Sequence, residues 1–281
     1  MEDSSEREMS TQFDRDTTLT PISPGRYHIA ISDKWNVTLG PNGGYIAAII
    51  LNGMKNVLPG VHTRSITFHF LSASVAGDAL LIVDIEKKGR TLSTLTAKLS
   101  QGDRTIAMAI ATFANARENV SFCDLQKPDV QDVKDIPDSR RMGPGMAGHV
   151  PFRNHYDQLL AIGPTPPETT AEASVGGWTR FRENRQFDDL AIVAISDSWF
   201  PGLMLKDTPV PVHAPTVDHT VHFVTSVPLA SIAIDDYLLV QFTTSVAQEG
   251  FLIENGWIWS PEGILIAQSR QLAVILPRED Q

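Results

Sequence analysis

The chain of 281 residues is 42% apolar and 20% charged, the balance of a globular protein with room for one large domain or two ordinary ones and not that of a disordered chain. Its formal charge of −10 speaks against non-specific nucleic-acid binding, which needs Lys and Arg clustered on phosphate. The most apolar runs, Tyr45 to Leu51 and Leu80 to Ile85, fall far short of the roughly 20 residues that cross a bilayer, and the single cysteine, Cys123, leaves no intrachain disulfide and no cysteine zinc site.

Residues 1–24 are rich in Ser, Thr, Asp and Glu and lack an apolar signal core, so a disordered N-terminal tail and a cytoplasmic location are expected. Short strand candidates at 27–31 and 34–38 lead to Pro41-Asn42-Gly43-Gly44-Tyr45. After these, Ala, Ile, Leu and Met run to Leu58 and stop at Pro59-Gly60. That segment predicts a helix apolar almost all round, and therefore buried. Four strands are predicted next, at 64–71, 79–88, 92–101 and 105–114, with Ala76-Gly77-Asp78, Lys88-Gly89-Arg90 and Gly102-Asp103 as turns. Residues 115–151, rich in Asp, Pro, Arg and Gly, read as a connector.

The order then repeats. Strands at 156–162 and 177–183 precede an apolar helix from Asp188 to Met204, and strands follow at 216–224, 237–247, 251–260 and 264–276. In the repeat His69-Phe70 lies over His222-Phe223 and Thr63 over Thr216. Two short strands, a buried helix and four antiparallel strands in each half predict an α+β double hot-dog: two tandem units, each a curved antiparallel sheet around a buried helix. The units span 25–114 and 152–277, joined by the connector 115–151.

Particular residues carry a family resemblance. Gly40-Pro41-Asn42-Gly43-Gly44-Tyr45 with Ala47 and Ala48, Ser65-Ile66-Thr67-Phe68-His69-Phe70-Leu71, and Lys88-Gly89-Arg90-Thr91-Leu92-Ser93 are similar to the first half of thioesterase II-like acyl-CoA thioesterases. Thr216-Val217-Asp218-His219-Thr220-Val221-His222-Phe223 and Gly263-Ile264-Leu265-Ile266-Ala267-Gln268-Ser269-Arg270-Gln271 resemble that family's closing strands. The resemblance runs from about residue 25 to residue 276 and fails in the connector. It implies hydrolysis of an acyl-CoA or carrier-bound thioester in fatty acid or polyketide metabolism, a homo-oligomer, and neither metal nor cofactor. It also implies one site per chain, made of Asp197 on the second helix, Thr216 opening the next strand and Gln271 on the last strand. The first half offers Ala111 under Gln271, and only the amides Asn52 and Asn56 on its helix.

The residues allow more than one reading. Asp197 in an apolar helix is either a cap or, with its pKa raised by burial, a general base. Thr216 and Gln271 can hold a water but move no proton. Gly43-Gly44 either admit a ligand to a helix N-terminus or only permit the turn. Lys88 and Arg90 are either a patch for an anionic CoA or a solvated hairpin. Strand alternation sets Asp218, and not His219, on the face of Thr216, which argues against an Asp218–His219 dyad and leaves His219 as a core residue. A retooled isomerase, cyclase or dehydratase of secondary metabolism, and a non-catalytic acyl-binding module, remain alternatives on the same fold.

Overall fold

A computed structural model describes residues 10–143, 150–207 and 212–277. A short helix, α1 (Gln12–Asp16), opens the described chain, and its cap is a reciprocal pair in which Thr11 accepts from the Asp14 amide and Asp14 accepts from that of Thr11. Phe13 is 2% exposed and packs at 4.8 Å from the ring of Phe181, while Arg185 clasps Asp14 at 2.9 Å. A disordered tail is therefore not what residues 10–24 form, because one aromatic side chain seals the core; residues 1–9 of the expected tail lie outside the described residues.

The first half adds strands β1 (Thr20–Ser23) and β2 (Arg26–Ile31), helix α2 (Gly43–Val57), and strands β3 (Thr63–Phe70), β4 (Gly77–Lys87), β5 (Ser93–Gln101) and β6 (Arg104–Phe113). The predicted strand at 34–38 is instead a 3-10 turn, Asp33–Trp35, followed by the two-residue pairing of Asn36–Val37 with Gly40–Pro41. Trp35 needs this detour, since its ring is fully buried and its indole N–H donates to Asp16 at 2.8 Å. Helix α2 is buried along most of its length, as an apolar circumference requires.

Within 115–143 the connector makes one short edge strand, β7 (Arg141–Met142), and packs on the second half: Ile136 joins a cluster with Leu159, Trp178, Leu239, Trp259 and Leu265. The second half comprises β8 (Tyr156–Ile162), β9 (Ser174–Phe181), helix α3 (Asp189–Ile195), β10 (Thr216–Phe223), β11 (Leu238–Gln248), β12 (Phe251–Trp259) and β13 (Leu265–Val274). Helix α3 is shorter than the predicted Asp188 to Met204. Beyond Ile195 the Ser196 and Ser198 hydroxyls donate back to the carbonyls of Val193 and Ile195 at 2.8 and 2.9 Å, and Pro201, without an N–H, turns the chain into a 3-10 segment, Gly202–Leu205. Asp197 thus stands in the turn after the helix and not on it.

Among the described residues these thirteen strands form one sheet in the order β1-β2-β4-β5-β6-β3-β10-β13-β12-β11-β9-β8-β7, antiparallel at each junction. The halves are mirror sequences of each other outward from β3 and β10. Both helices pack under the sheet, antiparallel in sense, so that the N-terminus of α2 meets the end of α3 and Lys55 near the end of α2 pairs with Asp189 at the start of α3. No helix among the described residues is long and apolar enough to cross a membrane.

Candidate active site

The site forms where α2 begins. Asn42 caps the helix by accepting from the Tyr45 amide at 3.1 Å, and its own amide donates to the Asp197 carbonyl at 2.9 Å and carboxylate at 3.2 Å. The Gly44 N–H donates to the same carboxylate oxygen, Oδ2, at 2.8 Å. The two glycines have a steric reason to be there. A methyl on Gly43 would lie 2.8 Å from that Oδ2, and one on Gly44 would lie 2.6 Å from the Ala194 carbonyl oxygen.

Asp197 retains some solvent access, yet protein surrounds it densely. Burial pushes its carboxyl up to about 7; the Gly44 bond opposes that rise, the charge of Glu254 adds to it, and Asn42 opposes it again. Its turn is anchored from below. The single hydroxyl hydrogen of Ser196 serves the Val193 carbonyl, so the contact of 2.8 Å with His219 Nε2 is a donation from the ring, which fixes the Nε2–H tautomer. His219 is 1% exposed and burial holds it neutral, with its pKa down to about 4.

Thr216 and Gln271 are joined directly. The Thr216 hydroxyl donates to Gln271 Oε1 at 3.1 Å, and Gln271 Nε2 donates to Glu254 Oε2 at 2.9 Å. Glu254 accepts at its other oxygen from the Gly202 N–H at 2.7 Å and the Thr244 hydroxyl at 3.1 Å. Burial raises its pKa, while the Gly202, Gln271 and Thr244 bonds pull the other way.

Strand β10 does not alternate regularly at its start. Val217 is an extra residue in a bulge: Thr216 faces Ala273 while Asp218 faces Leu272, so the register shifts between them. His219 and Gln271 are direct partners and share one face, and the bulge returns Thr216 to that face as well. An Asp218–His219 dyad does not form: the two are consecutive in regular register and point to opposite faces, and His219 is engaged by Ser196.

Asp197 is thus bonded to α2 and Thr216 and Gln271 to each other, and the two groups are linked through Glu254, which bonds Gln271 and whose charge reaches Asp197. Gly43 and Gly44 belong to the candidate site. Lys88 and Arg90 do not touch it: both are exposed on the β4–β5 hairpin, beside Ser93, which pairs with Phe113, itself the partner of Thr63. Phe70, which lies against Gly43, is at the other end of β3, roughly 20 Å along the strand. Glu254 was missed in the sequence, although a lone acid inside Phe251-Leu252-Ile253-Glu254 on a predicted central strand was a signal for it. Among the described residues no group of acids, histidines and cysteines is arranged to hold a metal ion.

The matching sheet positions of the first half are apolar. By register, Ala111, Leu95 and Ile66 stand where the second half has Gln271, Glu254 and His219, and all three are 0–1% exposed. Thr63, over Thr216, is kept, but it bonds at 3.1 Å to Asp189, which also pairs with Lys55. An ion pair thus fills the end of the molecule that mirrors the site.

Residues 31–114 match the acyl-CoA thioesterase N-terminal domain and residues 129–275 the acyl-CoA thioesterase C-terminal domain. No curated protein sequence matches the chain. Among solved structures, a conserved protein of unknown function with a hot dog fold from Alicyclobacillus acidocaldarius is 24% identical with a TM-score of 0.86, covering 96% of this chain and 100% of that one. An acyl-CoA thioesterase II from Mycobacterium marinum is 18% identical with a TM-score of 0.74, over 95% of this chain and 99% of its own. With the C-terminal domain match alone spanning more than half of the 281 residues and the hot-dog fold shared end to end, the chain belongs to the acyl-CoA thioesterase family and is a thioester hydrolase on a double hot-dog fold.

Proposed function

We propose that the chain hydrolyses an acyl-CoA thioester with one water held between Asp197, Thr216 and Gln271. The observation that carries this reading is the polarity of the hydrogen-bond chain. Because the Thr216 hydrogen is committed to Gln271 Oε1, Thr216 Oγ1 offers the site a lone pair, while the second Nε2 hydrogen of Gln271 remains as a donor. A water donating to the Asp197 carboxylate and to Thr216, and accepting from Gln271, keeps one lone pair for the thioester carbonyl carbon.

Attack then transfers the water proton to Asp197, whose pKa near 7 suits a general base at neutral pH. The tetrahedral oxyanion is received at the N-terminus of α2 by the Gly43 N–H, since the Gly44 and Tyr45 amides already serve Asp197 and Asn42, and the helix dipole adds to it. Collapse breaks the C–S bond, and Asp197 returns the proton to the departing thiolate, leaving a carboxylic acid and CoA. No metal or cofactor enters these steps.

Release of thiol from short-, medium- and long-chain acyl-CoAs tests the reading. Wild type should turn over at least one of them, and Asp197→Asn should lower kcat by roughly 10²- to 10⁴-fold with the fold intact. Folded wild type that releases no thiol from any of the panel would sink it.

A further inference from the structure

The buried carboxylate of Glu254 is given no step above although it bonds Gln271 Nε2 at 2.9 Å, and the fold does not require it. Its twin in the first half, Leu95, sits in the same place in the sheet with an apolar side chain that is 0% exposed. A lone acid only 3% exposed, with no cation paired to it among the described residues, is costly to bury, so its presence on one half alone asks for a reason that packing does not supply.

Its partners say what it does. Thr244 Oγ1 accepts from the Leu203 N–H at 3.0 Å and donates its hydrogen to Glu254. The Gly202 N–H and Gln271 Nε2 can only donate. Glu254 therefore accepts at both oxygens from donors alone, which is the pattern of an ionised carboxylate. An amide has two interchangeable ends, and only a partner of fixed polarity decides which way it faces. Against Glu254, Gln271 must present its NH2, and so it must present Oε1 to Thr216.

We propose that Glu254 is a positioning residue of the site: it locks the Gln271 amide in the orientation that takes the Thr216 hydrogen and leaves an N–H for the attacking water. The proposal rests on the reading that Asp197, Thr216 and Gln271 hold that water. A second consequence follows from charge. Glu254 is negative and close enough to oppose ionisation of Asp197. Of the other titratable groups near Asp197, Tyr156 on β8 is held neutral chiefly by burial and His219 on β10, bonded to the neighbouring Ser196, is neutral as well, while the Arg185 cation that acts on Tyr156 is paired to Asp14 and Asp188.

Two variants separate positioning from bulk structure. Glu254→Gln keeps the shape, removes the charge and sets an NH2 against donors. It should lower kcat about tenfold or more with KM within about twofold, and move the acid limb of the kcat profile down by about half a pH unit or more. Glu254→Asp keeps the charge but draws it back from Gln271; it should leave the limb in place and still lower kcat, and it carries the test if the Gln variant does not fold. Wild-type kcat in either folded variant, or a limb unmoved in Glu254→Gln, would overturn the proposal. Should wild type release no thiol at all, the hydrolase reading falls by itself. The Asp197 titration is then followed by carbon-13 NMR of labelled aspartate, assigned with Asp197→Asn: a lower midpoint in Glu254→Gln retains the proposal, and an unchanged one overturns it.

Discussion

Thr67 and Thr220 meet hydroxyl to hydroxyl at 2.9 Å, paired in register where β3 of the first half lies against β10 of the second. They are the same position of the repeat, 153 residues apart, so the two halves are related by a local two-fold passing between them. On one side of it Gln271, Glu254 and His219 make a polar chain; on the other Ala111, Leu95 and Ile66 close the core. The intact apolar twin in the same molecule shows that the fold can be closed at these positions without polar side chains.

Gly44→Ala should damage both stability and turnover. The added methyl would sit 2.6 Å from the Ala194 carbonyl oxygen and 3.1 Å from Asp197 Cβ, both held by backbone, so α2 must shift away from the α3 end. Overpacking of this kind costs about 1–3 kcal/mol, and losing the Gly44 bond frees Asp197. Denaturant melts and thiol release together check it; a variant with wild-type midpoint and kcat would show that the close approach is not required.

The repeat, the buried first helix and the succession of strands along the chain were legible because apolar periodicity and turn residues report burial and reversal, and these dominate a sheet wrapped on a helix. What escaped were features fixed by single contacts far apart in the chain. The burial of Phe13 depends on Phe181 and Trp35, which no local pattern links to it. The early end of α3 depends on hydroxyls competing for carbonyls, and the bulge at Val217 depends on the register with β13. Glu254 stood in plain view, but its partners Gly202, Thr244 and Gln271 come from three separate segments.

Neutralising Lys88 and Arg90 together, each to Ala, should leave KM for acyl-CoA within about twofold. Both side chains are solvated on the hairpin beside the Thr63 end of β3, whereas Asp197 lies toward the Phe70 end, so at physiological salt a Debye length of about 8 Å screens them from the reacting carbonyl. Steady-state kinetics on CoA and pantetheine thioesters decides it. A several-fold rise in KM confined to the CoA ester would instead assign the hairpin to the nucleotide end of the substrate.

Thr216→Val and Gln271→Leu should each lower kcat by about ten- to a hundredfold, and the double variant should lose much less than the product. The two side chains share one bond at 3.1 Å and act on one water, so removing either disables the same element. Strictly multiplicative losses would mean that they act independently, which the shared hydrogen bond contradicts.

Activity and stability should respond to pH in opposite directions through the same carboxyl. Asp197 has a folded pKa near 7 against roughly 3.9 for an unfolded aspartate, so between those values the folded state binds the extra proton. Stability therefore falls as pH rises across this window, while kcat/KM rises as the base ionises and levels off above it. His219 works the other way, since its folded pKa near 4 lies below that of an unfolded histidine and its contribution grows as pH rises toward about 6.5. The wild-type curve mixes these with the shifted groups Asp14, Asp157, His155 and Glu254, so the difference from Asp197→Asn is what reports the aspartate. That variant should be more stable than wild type at pH 8 by about 1–3 kcal/mol, less than the full shift would give because Asp197 keeps some solvent contact, and the gap should close toward pH 4. Denaturant melts of the pair at pH 4.5, 6 and 8 measure it. A gap that stays constant with pH would mean that Asp197 titrates like an ordinary surface acid, and the general-base assignment would fail with it.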